Sequence, residues 1–598
     1  MTRRIIRRKH VADEHLPDNL APIIKQIYAA RGVQSAQQLE LKVANLQGVG
    51  ANEQNGSLKG LPKACELLHA ALINNTNIII IGDFDADGAT STALMMVALN
   101  LMGSTNHSFI VPNRFEYGYG LTPEIVDIAA SQGGQLLVTV DNGISCVAGV
   151  NRAKELGLQV LVTDHHLPGH ELPNADVIVN PNQAGCPFPS KSLAGVGVAF
   201  YVMLALRSHL REQKYFITQN IAEPNIAQLL DLVALGTVAD VVALDGNNRI
   251  LVEQGLKRIR AGQTRPGIQA LIEVANKNQQ RLVASDFGFA LGPRINAAGR
   301  LDDMSYGINC LLAPDLASAR VMARDLDELN KTRREIEQGM QIEAEAVLKS
   351  LKFNEKHFDD HNLPNAIALF NPDWHQGVIG IVAGRLKEKF HRPCIVFAKG
   401  SDKADDNDER QEIKGSARSI PGLHIRDLLE HISSQYPDLI LKFGGHAMAA
   451  GLSIKQQDFV KFQTVFNELA GKWLKEEDLQ SIILSDGELA LEQLTLSFAE
   501  QLRDAGPWGQ NFPEPLFDDS FTLIQQRIVG EKHLKLVVEK QGVLGKKVFD
   551  GIAFNIDIKS WPNAQAKQVH LAYRLDVNEF RGKRTVQLMV ENIVVVEQ

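Results

Sequence analysis

The stretch Asn77 to Thr92, NIIIIGDFDADGATST, constrains this chain more than any other. A β-branched run, Ile78 to Ile81, ends in glycine and is followed by aspartates at alternate positions, Asp83, Asp85 and Asp87, then by Gly88 and a small-residue helix start. A short continuous apolar run of this kind reads as a strand buried on both faces, as in a parallel sheet. In doubly wound sheets ligands bind just outside the carboxyl ends of such strands. The three carboxylates therefore stand where chemistry is usually done, and they are the donor type that hard cations prefer. Asp-x-Asp-x-Asp-Gly also opens an EF-hand calcium loop. That loop follows a helix and carries Glu at its twelfth position, whereas here a strand precedes it and the twelfth residue is Leu94. Taken alone, the stretch also reads as a solvated acidic turn without a metal.

It does not stand alone, because the strand and helix rhythm repeats through HSFIVPNR, QLLVTVDNGIS, LQVLVTDHHLP and ADVIVNPN. Asp141 follows LLVTV, and Asp164, His165 and His166 follow VLVT, so two more strands deliver ligand-type side chains to the same sheet edge. Asp240 lies in the apolar stretch LVALGTVADVVAL, where a lone carboxylate is costly to bury unless it is paired or on a metal. Wound in this way, the sheet gathers six aspartates and two histidines near one point. Oxygen ligands with an imidazole suit Mn²⁺ or Mg²⁺ better than zinc. A carboxylate-rich site for two ions is the usual device for phosphoryl transfer to water, so the pattern predicts a phosphohydrolase. The competing reading of His165 and His166 is a pair of ordinary surface histidines ahead of Pro168.

DFDADG, VDNG, DHH and the Asp240 segment resemble the four motifs of the DHH phosphoesterase superfamily. With GSARS and GGHAMAAG downstream, the chain is similar, from about Leu61 onward, to the superfamily's single-strand-specific 5′-to-3′ DNA exonucleases. The resemblance implies two Mn²⁺ or Mg²⁺ ions, with Asp85, Asp87, Asp141, His165 and Asp240 as ligands and Asp141 bridging. Many relatives carry a histidine four residues before the first of the paired acids; here that residue is Ile81, and Asp83 is the candidate to replace it. Asp164 and His166 are then expected to orient His165 and to meet the scissile phosphate. The implied partners are single-stranded DNA, a single-strand DNA-binding protein and a repair helicase, with the chain expected to be monomeric. Rival readings are a superfamily enzyme for short oligonucleotides, cyclic dinucleotides or pyrophosphate, and a single-strand binding protein whose metals are structural.

Two loops, PNRFEYGYGL (112–121) and GPRINAAGR (292–300), mix Arg with Gly, and the first adds aromatics. Arg114, Arg294 and Arg300 fit bidentate phosphate contacts, and equally fit capping or salt-bridge roles. From Pro314 to about Leu351 the apolar positions Met322, Leu326, Leu329, Ile336, Met340 and Val347 keep a helical spacing. A helix of that length, about 55 Å, predicts a strut between domains with no chemistry of its own. A second α/β unit follows, with strands near 366–370 and 393–398 and a polar insert at 399–413. The resemblance makes it a DHHA1 domain that holds substrate through GSARS and FGGHAMAAG, read as Gly-rich turns carrying Ser416, Arg418 and His446. After the connector GPWGQNFPEPLF come alternating strands without an intervening helix, an OB-like barrel by pattern. Its Lys532, Lys535, Lys546, Lys547, Arg574, Arg581, Lys583 and Arg584, interleaved with Tyr573 and Phe580, suit single-strand binding or, alternatively, a solvated sheet face.

The expected architecture is thus multidomain α/β: an N-terminal cap (1–55), a parallel-sheet DHH domain (56–312), a connecting helix (313–352), a smaller α/β DHHA1 domain (353–470) and an all-β OB-like domain (471–598). A net charge of −8 excludes coating of nucleic acid by bulk attraction but leaves room for a local basic cleft. Five scattered cysteines without a Cys-x-x-Cys pair favour a reducing cytoplasm over a disulfide framework. No run approaches a membrane span, and the basic start MTRRIIRRKH lacks the apolar segment of a secretory signal.

Overall fold

The structure is a computed structural model that describes residues 3–49, 56–114, 116–350, 363–400, 411–543, 545–558, 560–580 and 582–596. After a short strand β1 (Arg4–Arg7), the first sheet is built from β2 (Ile78–Ile81), β3 (His107–Ile110), β4 (Leu136–Val140), β5 (Gln159–Thr163) and β6 (Val177–Val179). Its order is β3-β2-β4-β5-β6, with every pair parallel. Strand parity divides the apolar residues between two layers. Ile78, Ile80, Leu136, Val138 and Leu161 pack under the helices Leu61–Ile73, Ala86–Leu101 and Gly195–Glu212. Ile79, Ile81, Leu137, Val160 and Val162 pack under Pro123–Ser131 and Val147–Glu155. The chain leaves β2 for β3 on one side and returns to β4 on the other, so the crevice between the ends of β2 and β4 is the topological switch point.

The long helix Leu316–Ser350 has 35 residues, about 52 Å at the usual rise. Ala319, Ala323 and Leu326 at its start are buried in the core of the first domain, and Met340, Ala344 and Leu348 near its end in that of the second. It is the expected strut. The second sheet contains β7 (Ile367–Phe370), β8 (Cys394–Lys399), β9 (Glu412–Arg418), β10 (Lys442–Gly445) and β11 (Ala449–Lys455), in the order β10-β11-β9-β8-β7. Only β7 and β8 run parallel. GSARS is therefore not a glycine-rich turn: it forms most of the end of β9, hydrogen-bonded on both sides and alternately buried. FGGHAMAAG is a hairpin joining β10 to β11. Residues 401–410 of the polar insert lie outside the described residues.

The N-terminal segment meets the last domain as well as the first. β1 pairs in parallel with β12 (Ile482–Ser485), which lies just ahead of the barrel. Arg7 is bonded to Asp518, Arg31 to Asp486, and the Tyr28 hydroxyl to the carbonyl of Ala505. The same segment meets the first domain through Gln47 N to Asn247 and Arg249 to the carbonyl of Gln38. It ties the two ends of the chain together through side-chain contacts between residues 455 or more positions apart, which local pattern does not encode.

The last domain closes as a five-stranded barrel of β13 (Phe517–Val529), β14 (His533–Gly542), β15 (Gly545–Ala553), β16 (Gln568–Phe580) and β17 (Lys583–Val595), ordered β13-β14-β15-β17-β16. Full closure removes free sheet edges. The four strands expected from sequence are present, and β13 completes them. Among the described residues no helix is long and apolar enough to cross a membrane, and Cys65, Cys146, Cys186, Cys310 and Cys394 are all free thiols.

Candidate metal centre and cleft

Four chain segments converge at the switch point. Asp83, Asp85 and Asp87 follow β2, Asp141 follows β4, and Asp164, His165 and His166 follow β5. Asp240 caps the end of the helix Leu230–Ala239. Asp85 is the N-cap of the helix Ala86–Leu101, its side chain accepting from the amides of Asp87 and Gly88. A side chain at Gly88 would come within 2.6 Å of the Asp83 carbonyl, which explains the glycine at this turn. Asp87 accepts at both oxygens from the first amides of the helix Gly195–Glu212, Gly195 at 2.6 Å and Val196 at 2.9 Å, a favourable place for an anion. A side chain at Gly195 would meet Asp141 at 2.6 Å, so this helix can approach the carboxylates only because its first residue is glycine.

Ligand-type atoms fall into groups whose members lie within 4.8 Å of one another: Asp83, Asp85 and Asp141; Asp87, His165 and Asp240; and Asp141, His165 and His166. Nε2 of His165 stands 3.1 Å from Asp141 Oδ1 and 3.5 Å from Asp240 Oδ2, so Asp141 joins the first group to the second. Asp83 Oδ1, Asp141 Oδ1 and His165 Nε2 are buried with no hydrogen-bond partner. Such atoms are costly unless something occupies them, and an oxygen-rich set with one imidazole fits Mn²⁺ or Mg²⁺. Burial and then the neighbouring carboxylates push Asp83, Asp141 and Asp240 well above the usual carboxylate range, and Asp87 to about 7. Burial, and then His166, lowers His165 to about 4, leaving a neutral imidazole as a metal ligand requires. Two residues carry backbone strain here. Asp141 has φ +63°, and Val241, beside Asp240, also has φ +63°, a rare setting for a β-branched residue.

Asp164 does not reach the ligand groups. It accepts from the amides of Ile144, His165 and His166 and from Nδ1 of His166 at 2.8 Å. It thus fixes the His165–His166 turn through backbone bonds and orients the His166 ring directly. Burial opposes the charge of His166, but the hydrogen bond and charge of Asp164 outweigh it and raise the imidazole to about 9. His446, from the hairpin of the second domain, stacks on His166 with centroids 6.2 Å apart. Arg418 donates to Ser416 Oγ at 3.2 Å on the same strand. Arg114 lies over Phe84 at 4.2 Å and feels the charge of Asp83. Burial, then Arg114 and Arg418, lower Arg300 to about 10. Arg114 and Arg418 are thus charged neighbours of Arg300, whose guanidinium donates to the carbonyl of Gly377 at 3.0 Å.

Arg294 is elsewhere. Its guanidinium is buried against Asp327 of the long helix at 2.8 Å and donates to the carbonyl of Ala290. GPRINAAGR is not a loop but forms most of the helix Gly292–Leu301, and six residues at 100° each place Arg294 and Arg300 about 120° apart on it, on different faces. On the barrel, Tyr573 is buried and donates to Asp519 at 2.7 Å, so it does not offer a face to bases. Lys535, Lys546, Arg574 and Arg584 are paired with Asp550, Glu539, Glu514 and Glu500. Arg581 and the side chain of Phe580 lie outside the described residues.

Several groups at the site were not singled out by sequence. The Tyr119 hydroxyl donates to the Asp141 carbonyl at 3.1 Å and lies 3.4 Å from His166. Asn180 and Asn182 donate to the carbonyls of His166 and His165, and Asn296 accepts from the Ala86 amide at 2.6 Å. Asn180 directly follows β6 and Asn182 lies two residues on, so the rule that found Asp141 and the Asp164–His166 group would have found them. Asn296 belongs to a distant helix and gave no such signal.

Comparison with known proteins agrees with this arrangement. Residues 77–237 match the DHH family, N-terminal domain, residues 363–472 the DHHA1 domain, and residues 485–592 the RecJ OB domain. The single-stranded-DNA-specific exonuclease RecJ of Escherichia coli (strain K12) is 56% identical over 595 residues, 99% of this chain and 100% of that protein. Its counterpart from Haemophilus influenzae is 50% identical over 599 residues, the full length of both. The crystal structure of RecJ from Thermus thermophilus in complex with Mn²⁺ superposes with a TM-score of 0.76 at 27% identity, covering 100% of this chain and 80% of that one. With 56% identity to one relative along nearly its whole length and matches to the DHH, DHHA1 and RecJ OB models in turn, this chain belongs to the RecJ family of DHH-superfamily proteins.

Proposed function

We propose that this protein is a metal-dependent exonuclease that degrades single-stranded DNA from its 5′ end to mononucleotides, in recombination and repair. The observation that carries the reading is the cluster at the switch point, where Asp141 stands with Asp83 and Asp85 and lies 3.1 Å from His165, which in turn stands with Asp87 and Asp240, with orphaned ligand atoms on Asp83, Asp141 and His165. Relatives over the full length are named for this activity, and a related structure holds Mn²⁺. In the proposed assignment Asp83, Asp85 and Asp141 would hold one ion and Asp87, His165 and Asp240 the other. Two Mn²⁺ or Mg²⁺ ions held there would supply an activated water and neutralise charge on the scissile phosphate. Asp164 fixes the direction of His166 and keeps its ring protonated, so that its other N–H would face the phosphoryl oxygens. Tyr119 braces His166 from the loop side and His446 from the second domain. Arg114, Arg300, Ser416 and Arg418 grip the backbone phosphates across the cleft.

In the proposed division of labour, residues 56–312 carry the chemistry, 313–352 set the spacing, 353–470 hold the substrate and 471–598 bind the strand. The family resemblance extends the reading to a cytoplasmic monomer working with a single-strand DNA-binding protein and a repair helicase. The test is gel-resolved digestion of an internally labelled single strand of about 40 nucleotides, several times the length one OB fold covers, with Mn²⁺ or EDTA, beside its duplex and copies blocked at either end. Loss to mononucleotides, stopped by EDTA and by the 5′ block, is expected. Intact single strand in metal-loaded protein overturns the proposal.

A further inference from the structure

A cavity of about 840 Å³ opens where the first domain, the long helix, the helix Ile379–Phe390 and the barrel meet. One end is set by Asn296, which holds the Ala86 amide between Asp85 and Asp87, and by Arg300. Lys532 and Asn555 of the barrel and Arg3 of the N-terminal segment form other parts of the lining. Seven lining residues are cationic and two are carboxylates, Glu337 and Glu388; Arg333 and Arg385 are paired with Glu337 and Lys389 with Glu345, which leaves Arg3, Arg300, Arg334 and Lys532 outside these pairs. This excess of positive charge in a chain of net charge −8 selects a polyanion as occupant.

Among the lining residues one is aromatic. Phe289 is 81% exposed and lines the cavity, while Phe287, Ala290 and Leu291 around it are buried in the core. It stands in a five-residue π-helical segment, Phe287–Leu291. The wider turn inserts a residue into the helix, and such turns concentrate at functional sites. Here it sends one aromatic ring outward without breaking the buried stripe.

We propose that Phe289 is a stacking platform for a base of the single strand as it runs from the metal centre toward the barrel. The inference rests on the exonuclease reading above and adds to it the residue that grips a base rather than the phosphates. Stacking on an aromatic ring is tolerant of sequence, because every base has a π face, and duplex DNA does not present its bases this way. Tyr573 is turned into the barrel, whereas Phe289 offers its ring to the same cavity that Arg300 and Lys532 line.

The test uses the full-length protein in EDTA and a 5′-phosphorylated, fluorescently labelled single strand of about 20 nucleotides. A single abasic residue is moved along the strand, one position per oligonucleotide. The wild type is expected to lose about 5- to 150-fold in affinity at one position and little at its neighbours, the range that follows from loss of one stacked base. Phe289→Ala is expected to lose the same factor on intact DNA and to show no dip at that position, and Phe289→Trp to restore both. An unchanged Mn²⁺-induced rise in melting temperature checks that the variants keep the metal centre. A Phe289→Ala profile superimposable on the wild type overturns the inference while leaving the exonuclease reading intact. Wild-type protein that neither binds the strand in EDTA nor digests it in Mn²⁺ overturns both.

Discussion

Asp141→Asn separates a metal ligand from a structural carboxylate by the sign of its effect. Asn is nearly isosteric, tolerates the left-handed backbone at φ +63°, and presents an N–H toward His165 Nε2, 3.1 Å from the present Oδ1. In the metal-free protein it removes one of several carboxylates crowded within 4.8 Å, and a pair of unit charges at that separation costs about 3 kcal/mol at an effective dielectric of 20. Proton uptake already relieves part of this repulsion, so the net gain is about 1–3 kcal/mol at pH 8, or roughly 2–12 °C for a domain of this size. With metal the balance reverses. A carboxylate about 4 Å from a dication gains roughly 8 kcal/mol gross at the same dielectric, and allowing half for desolvation leaves about 4 kcal/mol, a 10³-fold effect. The assay is thermal unfolding in EDTA and in Mn²⁺ beside digestion of single-stranded DNA. The variant is expected to melt higher than wild type in EDTA, to gain little from Mn²⁺, and to lose about 10³-fold in activity. A variant that melts lower in EDTA, or that still digests at near wild-type rate, refutes the reasoning.

Proton linkage gives a second prediction. Asp87 is raised to about 7, and Asp83, Asp141 and Asp240 are raised well above the ordinary range, by burial and mutual repulsion. Between the ordinary carboxylate value near 4 and about 7 the metal-free folded protein therefore binds more protons than the unfolded chain, and this site's contribution to stability falls as pH rises. Mn²⁺ displaces those protons, so the metal-induced rise in melting temperature should grow with pH across that window, and calorimetry at pH about 6 should show proton release; a pH-independent increment without release contradicts the assignment. Arg294→Ala breaks the buried pair with Asp327 and should destabilise the first domain by about 3–5 kcal/mol while leaving KM for DNA within about twofold, whereas Arg300→Ala should raise KM about tenfold or more. Equal kinetic effects would restore Arg294 to the cleft. Tyr573→Phe removes the buried bond to Asp519 and should cost about 1–3 kcal/mol of barrel stability with unchanged single-strand affinity; weakened binding at full stability would return Tyr573 to the binding face.

The sequence alone determined the strands of the first sheet and what stands at their ends. An apolar run stopped by Gly or Asp is a local signal, and parallel winding carries every such end to one edge, so Asp83, Asp85, Asp87, Asp141, Asp164, His165 and His166 were legible from the chain itself. The long helix was legible for the same reason, since a stripe repeated over about ten turns has only one reading. What the tertiary structure decided is which long-range neighbour covers each face. Arg294 and Arg300 share one helix and one motif, yet one meets Asp327 and the other the cleft. Tyr573 falls on the inner face of a strand because β13 and β17 flank it in that register. The two-residue alternation of GSARS is a strand because β8 and β11 lie on either side of it, and β1 is a strand because β12 lies beside it. Periodicity fixes a side chain's direction relative to its own element. Its partner depends on packing between elements hundreds of residues apart, and that packing divides the same residue types between structure and function.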